Sequence, residues 1–180
     1  MKVLVVVDMQ NDFIDGSLGT KEAQAIVPNV KIKIERYKRL SNSQIWFTRD
    51  THYNNYLYTN EGKHLPVKHC IYGTSGWEIK DGLAEFAFKD YEKVGMVDKE
   101  TFGLSDWKFP IWKDETVERI ELIGLCTDIC VVSNALILKA TYPDADIVVD
   151  ASCCAGTTPE NHKAALAVMK SCQINVIGEE

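Results

Sequence analysis

Nothing in this chain is long and apolar enough to span a bilayer as a helix. Its N-terminal run, Val3-Leu4-Val5-Val6-Val7, meets Asp8 long before the roughly 20 residues that a span requires. The same segment lacks the cleavage pattern of a secretory leader, so a cytoplasmic protein is expected. Runs of Lys or Arg are missing, and the net charge is -6, which together exclude a nucleic-acid surface. Internal repeats, low-complexity tracts and linkers are missing too, so 180 residues read as one domain, 1–180. Cysteine is not scarce: there are six. They lie in or beside apolar segments of a chain without a leader, so reduced thiols are expected rather than a disulfide framework.

What is present is an alternation of short apolar runs with amphipathic stretches. This predicts an α/β fold, three-layer α/β/α, around a mainly parallel six-stranded sheet. The predicted strands are Val3–Val7, Gln44–Thr48, Lys93–Val97, Arg119–Ile123, Asp146–Val149 and Ile174–Ile177. A first helix is predicted over Ala23–Leu40, with Ile26, Val30, Ile34 and Tyr37 on one face. A second follows Asp128, with Val131, Ala135 and Leu138 at the same spacing, and a last one covers Asn161–Cys172 behind Thr158-Pro159-Glu160. The segment from Thr51 to Gly76 fits neither period and is rich in His, Tyr, Asn and Gly. A connection that long within a compact domain points to function.

In an open α/β sheet, ligands bind beyond the carboxyl ends of the strands. Asp8 follows the first predicted strand, Asp50 and His52 the second, Lys99 the third and Cys130 the fourth. Cys130 falls in the first turn of a predicted helix, where unpaired amides and the helix dipole favour a thiolate and a depressed pKa; the alternative is a thiol buried as core. Asp8, closing an apolar strand, is placed for general-base work or for capping a turn. Lys99 either pairs with Asp8 and offsets developing negative charge or is simply solvated. Asp12 and Asp15 read as turn and cap residues. Asp50 and His52 with Glu61 and His69 offer carboxylate and imidazole donors suited to a divalent metal, or face solvent. His64 has no clear place in that set, and His162 reads as surface. Cys153 and Cys154 are expected to be buried.

Taken together, these residues resemble the isochorismatase-like cysteine hydrolases, and among them the nicotinamidases (pyrazinamidases). The resemblance covers nearly the whole chain, from Asp8-Met9-Gln10-Asn11-Asp12-Phe13 through His69-Cys70-Ile71-Tyr72-Gly73-Thr74 to Ile123-Gly124-Leu125-Cys126-Thr127-Asp128-Ile129-Cys130. It implies that Asp8 is the general base, Lys99 the family's lysine and Cys130 the nucleophile. It implies Asp50, His52 and His69 as metal ligands, with Glu61 where some members supply a further carboxylate. Zn2+ is the expected ion, with Mn2+ or Fe2+ as alternatives. The resemblance also implies a non-proline cis peptide between Leu125 and Cys126, with Cys126 at a small-residue backbone position. The family often has a Trp or Phe shortly before the last metal-binding His. This chain has Leu65-Pro66-Val67-Lys68 there, which leaves ring stacking to Phe13, Trp77 or Phe102 beside Leu65.

The implied reaction is hydrolysis of nicotinamide, and of the related pyrazinamide, to the acid and ammonia through an acyl-enzyme on Cys130, a step of NAD salvage. Backbone amides of Ile129 and Cys130 would form the oxyanion hole. One alternative is another amidase or ureide hydrolase of the same superfamily. Another is a non-catalytic metal- or ligand-binding α/β module. The expected partner is a small molecule, with neither nucleic acid nor membrane involved. The apolar segment Phe109-Pro110-Ile111-Trp112 is a candidate homo-oligomer interface.

Overall fold

A computed structural model describes residues 1–88, 93–110 and 116–179. The elements are β1 (Lys2–Val7), α1 (Asn11–Ile14), α2 (Lys21–Lys38), β2 (Ser43–Asp50), α3 (Asn60–His64), α4 (Ala84–Ala87), β3 (Val94–Lys99), β4 (Arg119–Leu125), α5 (Val132–Thr141), β5 (Asp146–Ala155), α6 (Pro159–Ser171) and β6 (Asn175–Ile177). All six strands pair in parallel, in the order β3-β2-β1-β4-β5-β6. The chain winds outward from β1 to β3, then returns to the other side of β1 with β4. That reversal makes the β1/β4 boundary the topological switch point, where the carboxyl ends of the strands leave a crevice.

The central strands β1, β4 and β5 are largely apolar on both faces because helices cover both. On one face, Leu4, Val6, Ile45, Phe47 and Ile123 pack under α2, which presents Ala23, Ile26, Val30, Ile34 and Tyr37. On the other, Val5, Val7, Leu122 and Val149 pack under Ala135 and Leu138 of α5 and Leu166 and Met169 of α6. β5 runs past its predicted end to Ala155, after a register shift against β4 between Leu122 and Gly124. Cys153 and Cys154 therefore lie within the strand, and both are buried. All six cysteines are free thiols. Gly124 has φ 116°, and a Cβ there would collide with the Val7 carbonyl, so β1 and β4 approach closely only because that residue is glycine.

The supposed interface segment is not an exposed apolar face at Phe109. That ring is buried, centred 5.4 Å from Trp107, 5.4 Å from Tyr142 and 5.8 Å from Trp46. Aromatic area of this kind is best hidden in the core, which is where these four rings place it. Ile111 and Trp112 lie outside the described residues. Among the described residues, no helix is long and apolar enough to cross a membrane.

Beneath α2 lies a buried ionic cluster. Lys33 Nζ sits 2.6 Å from Glu121 Oε1 on β4 and 2.6 Å from Asp150 Oδ2 on β5, and the Tyr37 hydroxyl donates to Glu121 Oε2 at 2.9 Å. Burial opposes the Lys33 charge, but the two carboxylates outweigh it and raise the lysine pKa. Lys33→Met leaves Asp150 without its lysine and Glu121 with Arg119 as its remaining cation, 3.4 Å away. The expected cost is about 3 kcal/mol, a fall in Tm of about 6–12 °C by thermal melting. Ligand binding at the switch-point crevice at low temperature should be unchanged, because the cluster lies away from that crevice.

Candidate active site

Asp8 is the first residue beyond β1, and its backbone turns there with φ 47°, an uncommon conformation for a residue with a side chain. The turn points the carboxyl group inward, fully buried. Thr48 of β2 donates its hydroxyl to Asp8 Oδ1 at 2.6 Å. Lys99, the last residue of β3, brings its ammonium 2.7 Å from Asp8 Oδ2 and 3.7 Å from Asp50 Oδ1. The same Nζ lies 3.6 Å from Cys130 Sγ. Three residues from three separate strand ends thus form one buried chain: carboxylate, ammonium, thiol.

The charges decide how that chain works. Burial raises the Asp8 pKa above the ordinary carboxylate value, against the pull of Lys99, with Asp50 adding to the rise. Burial also opposes charge on Lys99, but Asp8, Cys130 and Asp50 override it and push the lysine pKa up. The expected depression of the Cys130 pKa is not found. Burial and the Asp8 carboxylate raise it well above the usual thiol value, and Lys99 offsets only part. The cause is local. Cys130 sits in a wide π-type turn, Thr127–Val131, ahead of α5, and is sunk in the cavity floor facing Asp8 rather than open to solvent at a helix start. These surroundings disfavour a resting thiolate and set the Asp8 carboxylate beside the thiol.

The same turn corrects the oxyanion reading. The Cys126 carbonyl accepts the amides of Ile129 at 3.1 Å and Val131 at 3.0 Å, passing over Cys130. The Ile129 amide is therefore engaged, whereas the Cys130 amide is not held by that carbonyl. The Leu125–Cys126 peptide is cis.

Asp50, His52, Glu61 and His69 converge beside this chain, their donor atoms all within 4.8 Å of one another. His52 Nε2 lies 2.8 Å from Asp50 Oδ2 and 3.4 Å from Glu61 Oε1; His69 Nε2 lies 3.5 Å and 3.8 Å from the same two atoms. Ligands on a tetrahedral zinc are spaced about 3.3–3.6 Å apart, so small shifts would seat an ion. Two further features fit. His52 Nε2 is buried yet aligned for a hydrogen bond with neither carboxylate. His69 Nδ1 lies 2.8 Å from the Val67 carbonyl, which only an N–H can satisfy, so in the neutral ring Nε2 keeps its lone pair for the cluster. Burial works against charge on His52, but the two carboxylates raise its pKa to about 9. For Asp50, burial is outweighed by His52, His69 and Lys99, which hold it well below the carboxylate range.

Cys130 opens onto a cavity of about 390 Å³ that also touches Asp50, Glu61 and His69. Phe13, Leu65, Phe102 and Cys126 stand on its wall. Trp77 does not. Its ring is buried behind the cluster, with Nε1 donating to Thr51 Oγ1 at 2.9 Å and the Arg49 guanidinium 3.6 Å above the ring. That is a supporting position rather than a stacking one.

Several functional neighbours escape sequence reasoning. Gln10 accepts the Asp50 amide at 2.7 Å and donates to the Asp50 and Trp77 carbonyls, each at 2.8 Å, fixing the Asp50 backbone. Tyr56 lies under both histidines, its ring centroid 4.6 Å from His52 and 5.0 Å from His69. His64, left unplaced by the sequence, is on the cavity wall. His162 is not free surface: its Nδ1 lies 2.8 Å from Thr127 Oγ1 at the start of the Cys130 turn, and burial pulls its pKa down. The one advance signal among these was proximity to motif residues, for Gln10 two places after Asp8 and His64 three after Glu61.

The Isochorismatase domain family model matches residues 2–180. A probable inactive nicotinamidase of Arabidopsis thaliana is 32% identical, over 93% of this chain and 87% of that protein. Among solved structures, the pyrazinamidase/nicotinamidase of Streptococcus mutans UA159 superposes with a TM-score of 0.82 at 28% identity, covering 98% of this chain and 100% of that one. The pyrazinamidase of Pyrococcus horikoshii in complex with zinc superposes with a TM-score of 0.76 at 26% identity, covering 99% of each chain.

Proposed function

The chain belongs to the isochorismatase family, and we propose that within it this protein is a metal-dependent cysteine amidohydrolase converting nicotinamide to nicotinate and ammonia. The observation that carries this reading is a shared cavity. Cys130, the end of the buried Asp8–Lys99–Cys130 chain, and the Asp50/Glu61/His69 side of the donor cluster open onto one space of a size suited to a small aromatic ligand.

In the proposed reaction, Asp8 takes the Cys130 proton and the thiolate adds to the carboxamide carbon, forming the C–S bond. The Cys130 amide meets the developing oxyanion. Lys99 keeps Asp8 oriented and balances the negative charge that passes between carboxylate and sulfur. As the C–N bond breaks, Asp8 returns its proton to the leaving ammonia. A water molecule, deprotonated by Asp8, then adds to the thioester carbon, and nicotinate leaves as Cys130 is reprotonated. Phe13 and Phe102 bound the ring. Asp50, His52, Glu61 and His69 would hold the ion, zinc first by its preference for imidazole and carboxylate, and when bound it supplies a Lewis acid for the pyridine nitrogen.

The test is ammonia release from nicotinamide by metal-loaded and chelator-treated protein. Chelation is expected to lower the rate by about tenfold to a hundredfold, the range seen when a metal centre is weakened, and zinc or manganese should restore it. The Arabidopsis relative is named as probably inactive, so an inert but folded protein is the outcome to exclude. No release from either preparation, with a native circular dichroism spectrum, would sink the assignment. Release that ignores chelation would leave the hydrolase and remove the metal from it.

A further inference from the structure

The donor cluster has two open sides. The cavity that holds the thiol touches Asp50, Glu61 and His69 but not His52. A second cavity, of about 540 Å³, touches His52 and Glu61 but neither His69 nor Cys130. Glu61, His64 and Phe102 stand on the walls of both and so form the partition. We propose that the metal ion enters and leaves through this second cavity, by way of Glu61 and His52, while the thiol cavity serves substrate and product. This rests on the metal reading above.

Three observations favour that route. The first is exposure among the four candidate ligands. The side chains of Asp50, His52 and His69 keep 4%, 7% and 2% of their surface exposed, whereas Glu61 keeps 23%. The carboxylate first met from outside is therefore the one on the shared wall, carried by the short helix α3. The second is charge. Neither cavity presents Lys or Arg, but the carboxylates of the thiol cavity, Asp50 and Glu61, both belong to the donor cluster, whereas the second cavity adds the exposed Glu100 outside it, an outer carboxylate that can draw cations in. The third is chemistry. Asn55 and Asn60 offer side-chain amide oxygens that can replace part of the hydration shell as an ion moves inward, while the hydroxyls of Thr51 and Thr59 are engaged within the protein. The thiol cavity instead shows Phe13, Leu18, Leu65, Leu125 and Ile129. A further consequence is that metal exchange does not require the substrate cavity to be vacant.

The experiment follows zinc alone, released from the zinc-loaded full chain to a chromogenic chelator in a stopped-flow instrument. Asn60→Trp fills the second cavity only, and Leu18→Trp fills the thiol cavity only. Asn60→Trp is expected to slow release by about tenfold, and Leu18→Trp to change it by less than about twofold, an effect on residence time rather than on the number of sites. Glu100→Gln should slow zinc uptake at low ionic strength and lose that effect at high salt. Alkylating Cys130 with a bulky reagent should leave release unchanged. If Asn60→Trp proves unfolded by thermal melting, Asn55→Trp probes the same cavity from a different segment.

Slower release in Leu18→Trp, equal slowing in both variants, or no slowing in either would overturn the route. Failure of the parent protein to retain stoichiometric zinc would overturn the route together with the metal reading. Zinc retained with the wrong variant dependence overturns the route alone.

Discussion

Cys130→Ala is expected to fold like the parent and to lose nicotinamide hydrolysis by a factor of about 10⁴ or more, as removal of a nucleophile from a catalytic chain does. The sulfur is the one atom on the cavity floor able to form a bond to the carboxamide carbon, and its neighbours cannot replace it. Lys99 is held between Asp8, Asp50 and the thiol, and Asp8 is engaged by Thr48 and Lys99. Cys126 shares the cavity wall, but no ammonium or base is placed beside it, and burial with the charges of Asp128, Asp8 and Asp50 pushes its pKa up to about 12. Rescue by that thiol is therefore not expected. The structural cost is small, since a buried Cys behaves as a small hydrophobe and Ala fits the same turn. A quenched reaction of the parent, analysed by mass spectrometry, should show a nicotinoyl adduct on the Cys130 peptide that the variant lacks. Turnover within tenfold of the parent would remove the covalent step.

The architecture was readable because its signal is periodic and long. Five consecutive apolar residues before Asp8 are satisfied only by a strand buried on both faces, and the α2 stripe from Ala23 to Tyr37 only by a helix lying on it. The site residues were readable for a different reason: each stands where a strand ends, and the topology collects strand ends in one place. What the sequence hid is short or depends on direction. The turn Tyr56–Tyr58 and helix α3 span three and five residues, too few for any period to register, yet they deliver Tyr56, Glu61 and His64. Trp77 and Phe102 look alike as aromatic residues near a motif. One turns behind the cluster to meet Thr51 and Arg49 while the other faces the cavity. Only backbone direction separates them.

The Cys130 thiol departs from the expectation for a helix start for a physical reason. A helix start lowers a cysteine pKa when the sulfur remains near solvent and the nearest charge is positive. Here the turn buries the sulfur, which is the largest cause of the rise, and the Asp8 carboxylate adds to it, while Lys99, 3.6 Å away, offsets only part. The resting enzyme is then a carboxylate–ammonium pair with a neutral thiol, a stored arrangement that becomes reactive by one proton transfer. Such a thiol is guarded against adventitious oxidation, because oxidation follows thiolate character and exposure.

That arrangement makes Asp8→Asn the most discriminating substitution, since it should move two observables in opposite directions. Asp8 raises the Cys130 pKa through its charge and hydrogen bond, and Lys99 lowers it. Removing the carboxylate while keeping its shape leaves Lys99 as the principal charge beside the sulfur. The midpoint of the pH dependence of Cys130 alkylation, followed on its own peptide so that exposed Cys172 does not interfere, should therefore shift downward. Hydrolysis should nevertheless fall by about 10²–10⁴, because Asn neither accepts the thiol proton nor returns one to ammonia. The pH–rate profile of the parent follows from the same group. In the proposed reaction Asp8 works as a carboxylate, so activity should rise with pH through its pKa, and burial sets that acid limb above the ordinary carboxylate range. In Asp8→Asn this limb should vanish from the residual rate. If the variant loses activity while its alkylation midpoint stays put or rises, Asp8 is not the group that governs the thiol proton.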